Sequence, residues 1–216
     1  MKQAPGTIAV ASTKGGSGKS SITAALAVQA AKEGSRVALL DWEPQGSLML
    51  WWLMRGKPDN PRLIADDIAP AAAVRKLAGE CDWLFLDTAP AMMDQVELAV
   101  QAADFTLIPV LASAFDLMAA RAVVAHCGEH EKAFAFVLNR ENPRREIMNT
   151  SAGAHLKKLG VILDEHVQDR AAYVSALNKG KTGPEHPDAR QAREARAEIE
   201  ALWAAVKKLA IKARQR

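Results

Sequence analysis

The chain has 216 residues, of which 49% are hydrophobic and 25% charged, with a formal net charge of +3 at pH 7, as expected of one soluble globular domain with a sizeable core. No apolar run approaches the ~18 residues of a membrane span, and the opening residues 1–6 are too short and polar for a secretory signal, which excludes an integral helical membrane protein and points to the cytoplasm. Cys81 and Cys127 alone make no disulfide framework and fit a reducing compartment.

The first predicted element is a strand, Thr7-Ile8-Ala9-Val10-Ala11-Ser12. It runs into Thr13-Lys14-Gly15-Gly16-Ser17-Gly18-Lys19-Ser20-Ser21, and an Ala-rich helix follows over residues 22–31. Strand, glycine loop and helix in that order make a phosphate-binding loop, because backbone N–H groups around Gly15, Gly16 and Gly18 can turn inward while the helix aims its positive end at the anion. Lys19 supplies a charge to the β- and γ-phosphates of ATP, and the Ser20 hydroxyl is a ligand for Mg²⁺. The loop departs from the strict pattern: Thr13 stands where a glycine is expected, and Lys14 adds a second lysine.

A turn at Gly34-Ser35 leads to a buried strand over residues 36–41 that ends on Asp41, with Glu43 two residues on in Trp42-Glu43-Pro44-Gln45-Gly46-Ser47. Both acids sit at the mouth of a strand beside the loop, where ligands bind in open α/β sheets. Residues 48–75 read as a short helix and a surface excursion, with Trp42, Trp51 and Trp52 taken as packing residues before a partner surface. A helix over residues 71–79 precedes the strand Trp83-Leu84-Phe85-Leu86-Asp87, whose terminal acid suits Mg²⁺ held through water. Residues 105–110 form the next strand and 115–127 a helix. His126 and His130 lie four apart with Cys127 between them, but no other ligand pair accompanies them in the sequence, and a surface helix is the preferred reading. The strand over residues 134–140 ends in Leu138-Asn139-Arg140, where Asn139 either presents a donor and an acceptor to an adenine edge or simply forms a turn. A helix over residues 144–159, a short strand over 160–163, a helix from Arg170 to Leu177 and a long last helix over residues 188–214 complete the pattern.

The combination of Lys14 with Lys19, Asp41-x-Glu43-Pro44-Gln45, Asp87-Thr88-x-Pro90 and Leu138-Asn139-Arg140 resembles the deviant Walker A motif ATPases of the ParA/MinD family, and the likeness extends from Ile8 to the last helix. It implies a three-layer P-loop NTPase fold, a mostly parallel twisted sheet with helices on both faces, as a single ATPase domain over residues 1–216 that lacks the N-terminal helix-turn-helix extension of larger members. In the family Lys14 would reach across an ATP-dependent homodimer to the partner's nucleotide, Gly15 to Ser21 and Asn139 would hold ATP, Ser20, Asp41 and Asp87 would serve Mg²⁺, and Asp41 with Glu43 would orient the attacking water. Glu43 replaces the family's second aspartate and Ala112 a proline in the segment after the strand over residues 105–110.

The resemblance further implies a small partition ATPase that binds nucleoid DNA without sequence preference and is released when a cargo-bound adaptor of ParB type stimulates hydrolysis. Charge is unevenly placed: sixteen Lys and Arg face ten Asp and Glu from Arg140 onward, against twelve and fifteen before it. Lys157, Lys158, Lys179, Lys181, Lys207, Lys208 and Lys212 are the candidate DNA contacts, with solvated helix faces as the competing reading. A protein-cargo ATPase such as a carboxysome positioner would share every motif. A MinD-like membrane regulator is the weaker alternative, because few bulky apolar residues remain on the last helix once it docks. An iron-protein-like reductase is disfavoured because Cys81 precedes Asp87.

Overall fold

The computed structural model describes residues 3–64, 68–89, 92–111, 114–141 and 151–215. Its strands are β1 (Gly6–Val10), β2 (Val37–Trp42), β3 (Arg62–Ile64), β4 (Trp83–Thr88), β5 (Phe105–Val110), β6 (Ala133–Glu141) and β7 (Val167–Gln168). They form one sheet in the order β3-β2-β4-β1-β5-β6-β7, every pairing parallel. Parallel neighbours need crossovers, and helices supply them: α1 (Lys19–Lys32), α2 (Ser47–Met54), α3 (Pro70–Lys76), α4 (Met93–Ala102), α5 (Ala114–Glu129), α6 (Ser151–Leu159), α7 (Ala171–Leu177) and α8 (Ala189–Arg214).

Both sheet faces are covered, so the central strands are apolar without alternation, and the period of two decides only which helix each residue meets. Ile8, Val10, Val37, Leu39, Trp83 and Phe85 join α1 and α8 in one core. Ala9, Ala38, Leu40, Leu84 and Leu86 join α3 and α4 on the opposite face, where α5 and α6 also pack over Ile108, Val110, Phe136 and Leu138. Helix α8 starts at an Asp188 cap whose side chain accepts from the Gln191 N–H, and it inserts Trp203 edge-on to Trp83 with ring centroids 5.2 Å apart. The indole N–H donates to Glu33 at 3.0 Å, which also receives Lys207 at 3.1 Å.

The expected architecture is present, with local differences. Strand β3 pairs with β2 inside the segment read as an excursion; three residues are too few to show a period. Helix α4 had no counterpart in the sequence reading, although Val96, Ala99 and Val100 are buried at helical spacing. The short strand expected over residues 160–163 is a single bridge between Ile162 and Phe136, and the seventh strand is β7, which pairs with Asn139 and Glu141 across a register shift. Of the tryptophans, Trp51 is buried and Trp42 and Trp52 half-buried, in keeping with packing. Residues 142–150, the first half of the helix expected over 144–159, lie outside the described residues, as do Pro90 and Ala112.

Candidate functional site

Strand β1 is central, and the chain leaves its carboxyl end at the switch point between β4 and β5, so the loop that follows opens onto the crevice where open α/β sheets bind ligands. Thr13, in the position of the missing glycine, is tied down by its hydroxyl donating to the Ala119 carbonyl of α5 at 3.1 Å. Gly18 has φ +92° and caps α1 with no side-chain hydrogen bond, which leaves the first N–H groups of the helix free for an anion. A Cβ at Gly18 would lie 2.0 Å from Asn139 Nδ2, so the loop and the end of β6 meet at a distance only glycine permits. Asn139, 7% exposed, donates from Nδ2 to the Ser17 carbonyl at 2.6 Å. It therefore clamps the loop to the sheet, a contact that neither the adenine nor the turn reading anticipated.

Lys19 is buried, and burial lowers its pKa against the opposing pull of Asp87 and Glu43. Its amino group reaches back to the Lys14 carbonyl at 3.4 Å. Lys14 points elsewhere: its Nζ lies 2.9 Å from Asp116 Oδ2 at the start of α5, and Asp116 is 3% exposed.

The two strand-end aspartates are register partners, Asp41 on β2 opposite Asp87 on β4, both continuing the rows that face α1. Asp41 accepts from the Met49 N–H at 2.7 Å and the Glu43 N–H at 3.1 Å, and so caps the first turn of α2. Burial raises its pKa, with those N–H groups opposing. Asp87 is fully buried, and neither of its oxygens completes a hydrogen bond of ordinary geometry, although the Ser20 hydroxyl is near enough to ease it. Desolvation, with Asp41 and Glu43 adding repulsion, pushes its carboxyl up to about 8. Two orphaned carboxylate oxygens beside Ser20 and the loop are the donor set a hard divalent cation takes, so Mg²⁺ fits this position.

A cavity of about 510 Å³ opens over the loop, a size typical of small-molecule sites. Gly15, Gly16, Gly18, Lys19, Ser20, Ser21, Glu43 and Asn139 line it, whereas Lys14, Ser17, Asp41 and Asp87 are not among the lining residues. Its far end is walled by Leu50, Trp51 and Met54 of α2 and by Tyr173, Val174 and Leu177 of α7, with Gln168 of β7 and Asp169 after it. The sequence reading missed that wall, since β7 has two residues and no legible period.

The seven basic candidates do not form one patch. Lys157 and Lys158 end α6, on the α5 side of the sheet, whereas Lys207, Lys208 and Lys212 lie on α8 across it. Lys179 and Lys181 follow α7, exposed. Lys207 is engaged by Glu33. His126 on α5 and His130 just past its end are half-buried, and α4 brings Glu97 beside them: His130 Nε2 is 3.0 Å from Glu97 Oε1.

The sequence pattern of the CobQ/CobB/MinD/ParA nucleotide-binding domain matches residues 8–182. Among curated proteins, the maintenance of carboxysome distribution protein A of Halothiobacillus neapolitanus is 32% identical over 185 residues, 81% of this chain and 84% of that one. A ParA protein of Rhizobium radiobacter is 28% identical over 188 residues, 80% and 82% of the two chains. A putative plasmid partition protein of Borrelia burgdorferi bound to AMPPNP superposes with a TM-score of 0.74 at 16% identity, over 94% of this chain and all of that one. Among the described residues no helix is long and apolar enough to cross a membrane.

Proposed function

The chain belongs to the CobQ/CobB/MinD/ParA nucleotide-binding family and is a ParA/MinD-like ATPase, and from that premise we propose that it is a cargo-positioning switch: ATP drives a sandwich dimer that holds nucleoid DNA, and an adaptor of ParB type on the cargo stimulates hydrolysis and release. The observation that carries the reading is the divided task of the two loop lysines. Lys19 is buried within the charge field of Asp87 and Glu43 and lines the cavity, whereas Lys14 is 35% exposed, is held by Asp116 and is not among the lining residues. A lysine that served its own phosphates would share the burial of Lys19. One held away from the lining and left partly exposed suits a second copy's nucleotide.

ATP fits the cavity by its chemistry: free N–H groups at the start of α1 and Lys19 for the phosphates, and apolar walls from α2 and α7 for the base. Ser20 and Asp87 would hold Mg²⁺, which when bound offsets phosphate charge. Asp41 and Glu43 stand next to it to hold or orient a water. The cargo is either DNA, as in plasmid partition, or a protein assembly. The second is favoured by the relative named for carboxysome distribution, which is 32% identical where the ParA relative is 28%. Light scattering with ATP, ADP or no nucleotide tests the switch: a dimer with ATP and Mg²⁺ alone supports it, and a nucleotide-independent state sinks it. Co-purification from the source cell while hydrolysis is blocked would then separate a DNA-bound adaptor from a protein-shell adaptor.

A further inference from the structure

We propose that Glu97, His126, Glu129 and His130 form a binding site for a divalent transition-metal ion such as Zn²⁺, apart from the nucleotide cavity. Helix α5 is assigned to Glu129, yet the His130 N–H donates to the His126 carbonyl at 3.1 Å, so helical spacing persists and both imidazoles leave the same side of the helix. Glu129, three residues on from His126, meets its ring on that helix. The fold adds Glu97 from α4, and one donor atom from each of Glu97, His126 and Glu129 lies within 4.8 Å of the others.

Glu97, His126 and Glu129 are the preformed part of the site, and His130 joins it through its contact with Glu97. His126 Nδ1 is 3.3 Å from Glu129 Oε2 and His130 Nε2 is 3.0 Å from Glu97 Oε1. Zinc bonds of ~2.0–2.2 Å put neighbouring tetrahedral ligands about 3.4 Å apart. Gln101 Nε2 donates to Glu97 Oε1 at 3.2 Å and steadies that ligand from outside. Two plain histidine–glutamate ion pairs account for less. They leave His126 Nε2 buried without a hydrogen-bond partner, so hydrogen bonding alone does not satisfy the ring whose Nδ1 faces Glu129.

The donor set names the metal class. Two imidazoles and two carboxylates suit Zn²⁺, Co²⁺ or Ni²⁺ over the all-oxygen preference of Mg²⁺ and Ca²⁺. Cys127 is not a ligand, being 1% exposed in the core between the sheet and α5. The carboxyl end of α5 adds a favourable field for a cation. Because α4 and α5 end just before β5 and β6 begin, the cluster lies toward the amino ends of the strands, the edge opposite the phosphate loop. Its effect is to clamp α4 to α5.

The test is a Zn²⁺ titration of chelator-treated full-length protein by calorimetry, with Co²⁺ as the spectroscopic probe. We expect one equivalent per chain in the micromolar range or tighter, visible d–d bands with Co²⁺, a higher Tm with Zn²⁺, and no displacement by saturating ADP and Mg²⁺. Glu97→Gln and His126→Gln should each weaken binding at least tenfold, since ligands matter more than the outer groups whose loss already costs ~10–100-fold. His155→Gln, on exposed α6 surface, should not. If His126→Gln does not fold, Glu97→Gln and His130→Gln carry the comparison, with circular dichroism of the metal-free forms as the check. Absence of saturable micromolar binding, or binding that persists in Glu97→Gln and in the histidine variant, overturns the site.

Discussion

Asp41 and Asp87 stand opposite each other in register on neighbouring parallel strands, two carboxylates on one face of the sheet with unlike surroundings. Asp41 is half-buried and receives two backbone N–H groups, while Asp87 is fully buried with none. Burial raises both carboxyls, but only Asp41 has backbone N–H groups opposing it, while Asp87 is pushed up to about 8.

This difference makes stability depend on pH. The folded-state pKa of Asp87 is raised to about 8, so between its unfolded value of 3.8 and about 8 the native state holds a proton that the unfolded chain has lost, and stability falls as pH rises through that window. Asp87→Asn should remove this contribution, raising the Tm of the nucleotide-free protein at pH 7.5 by several degrees and flattening its pH dependence. It should also abolish Mg²⁺-dependent hydrolysis. Wild-type nucleotide affinity in Mg²⁺ should increase from pH 6 to pH 8, as an entering cation expels the proton. Calorimetric melts and titrations at matched ionic strength check both, and a Tm lowered by Asp87→Asn at pH 7.5 contradicts the assignment.

Asp41 combines a structural contact with the catalytic duty proposed for it. Asp41 caps α2, whereas Glu43 lines the cavity. Asp41→Asn keeps an acceptor for the Met49 N–H and should cost no more than about 1 kcal/mol of stability while slowing hydrolysis at least tenfold with nucleotide affinity retained. Should Asp41→Asn keep full turnover and Glu43→Gln lose it, the water-orienting role belongs to Glu43.

The strands and the loop were legible because chemistry and period coincide there: apolar runs such as 83–86 end on acids, and Gly15 to Ser20 carry their own signature. What stayed hidden depends on pairs distant in sequence. No local pattern announces that Asn139 donates to Ser17, that Asp116 receives Lys14, or that Glu97 meets His130. Short elements were equally opaque, since β3 and β7 exist only through their neighbours' hydrogen bonds.

Gly18→Ala should fail for two separable reasons. Its φ of +92° strains any side chain, and the added methyl would stand 2.0 Å from Asn139 Nδ2. Binding of a fluorescent ATP analogue should be lost. Gly18→Ala with Asn139→Ala removes the collision and keeps the strain, so it should regain part of the lost Tm without regaining affinity. Full affinity in Gly18→Ala would remove the loop from the site.

Lys14→Ala should keep monomer nucleotide affinity within a few-fold and lose the ATP-dependent dimer. The same change removes a cation 2.9 Å from buried Asp116, which on its own would lower stability by about 1 kcal/mol for a pair one-third exposed on the lysine side. Adding Asp116→Asn should restore the Tm of Lys14→Ala without restoring the dimer. Recovery of the dimer in the double variant would mean that Lys14 acts through the stability of α5 alone.

DNA binding separates the basic residues by position. Lys207 should be left intact, because Lys207→Glu would face Glu33, the acceptor of Trp203, and disturb the docking of α8. Lys208 and Lys212 are exposed on the same helix, and Lys179 and Lys181 are exposed after α7, whereas Lys157 and Lys158 lie across the sheet. A dimer presents each pair twice, so affinity rises with ATP through effective concentration, not through new contacts. Each phosphate neutralised contributes roughly −0.9 to the slope of log affinity against log salt, so Lys208→Glu with Lys212→Glu should flatten that slope by about two for each pair that touches DNA. The Lys157→Glu and Lys158→Glu pair should do so only if the DNA follows the α6 side. Gel shifts on two unrelated duplexes at two salt concentrations, with ATP and with ADP, decide among the surfaces. Binding that is equal with ADP, or absent with ATP at low salt, removes DNA as the substrate on which the dimer is held.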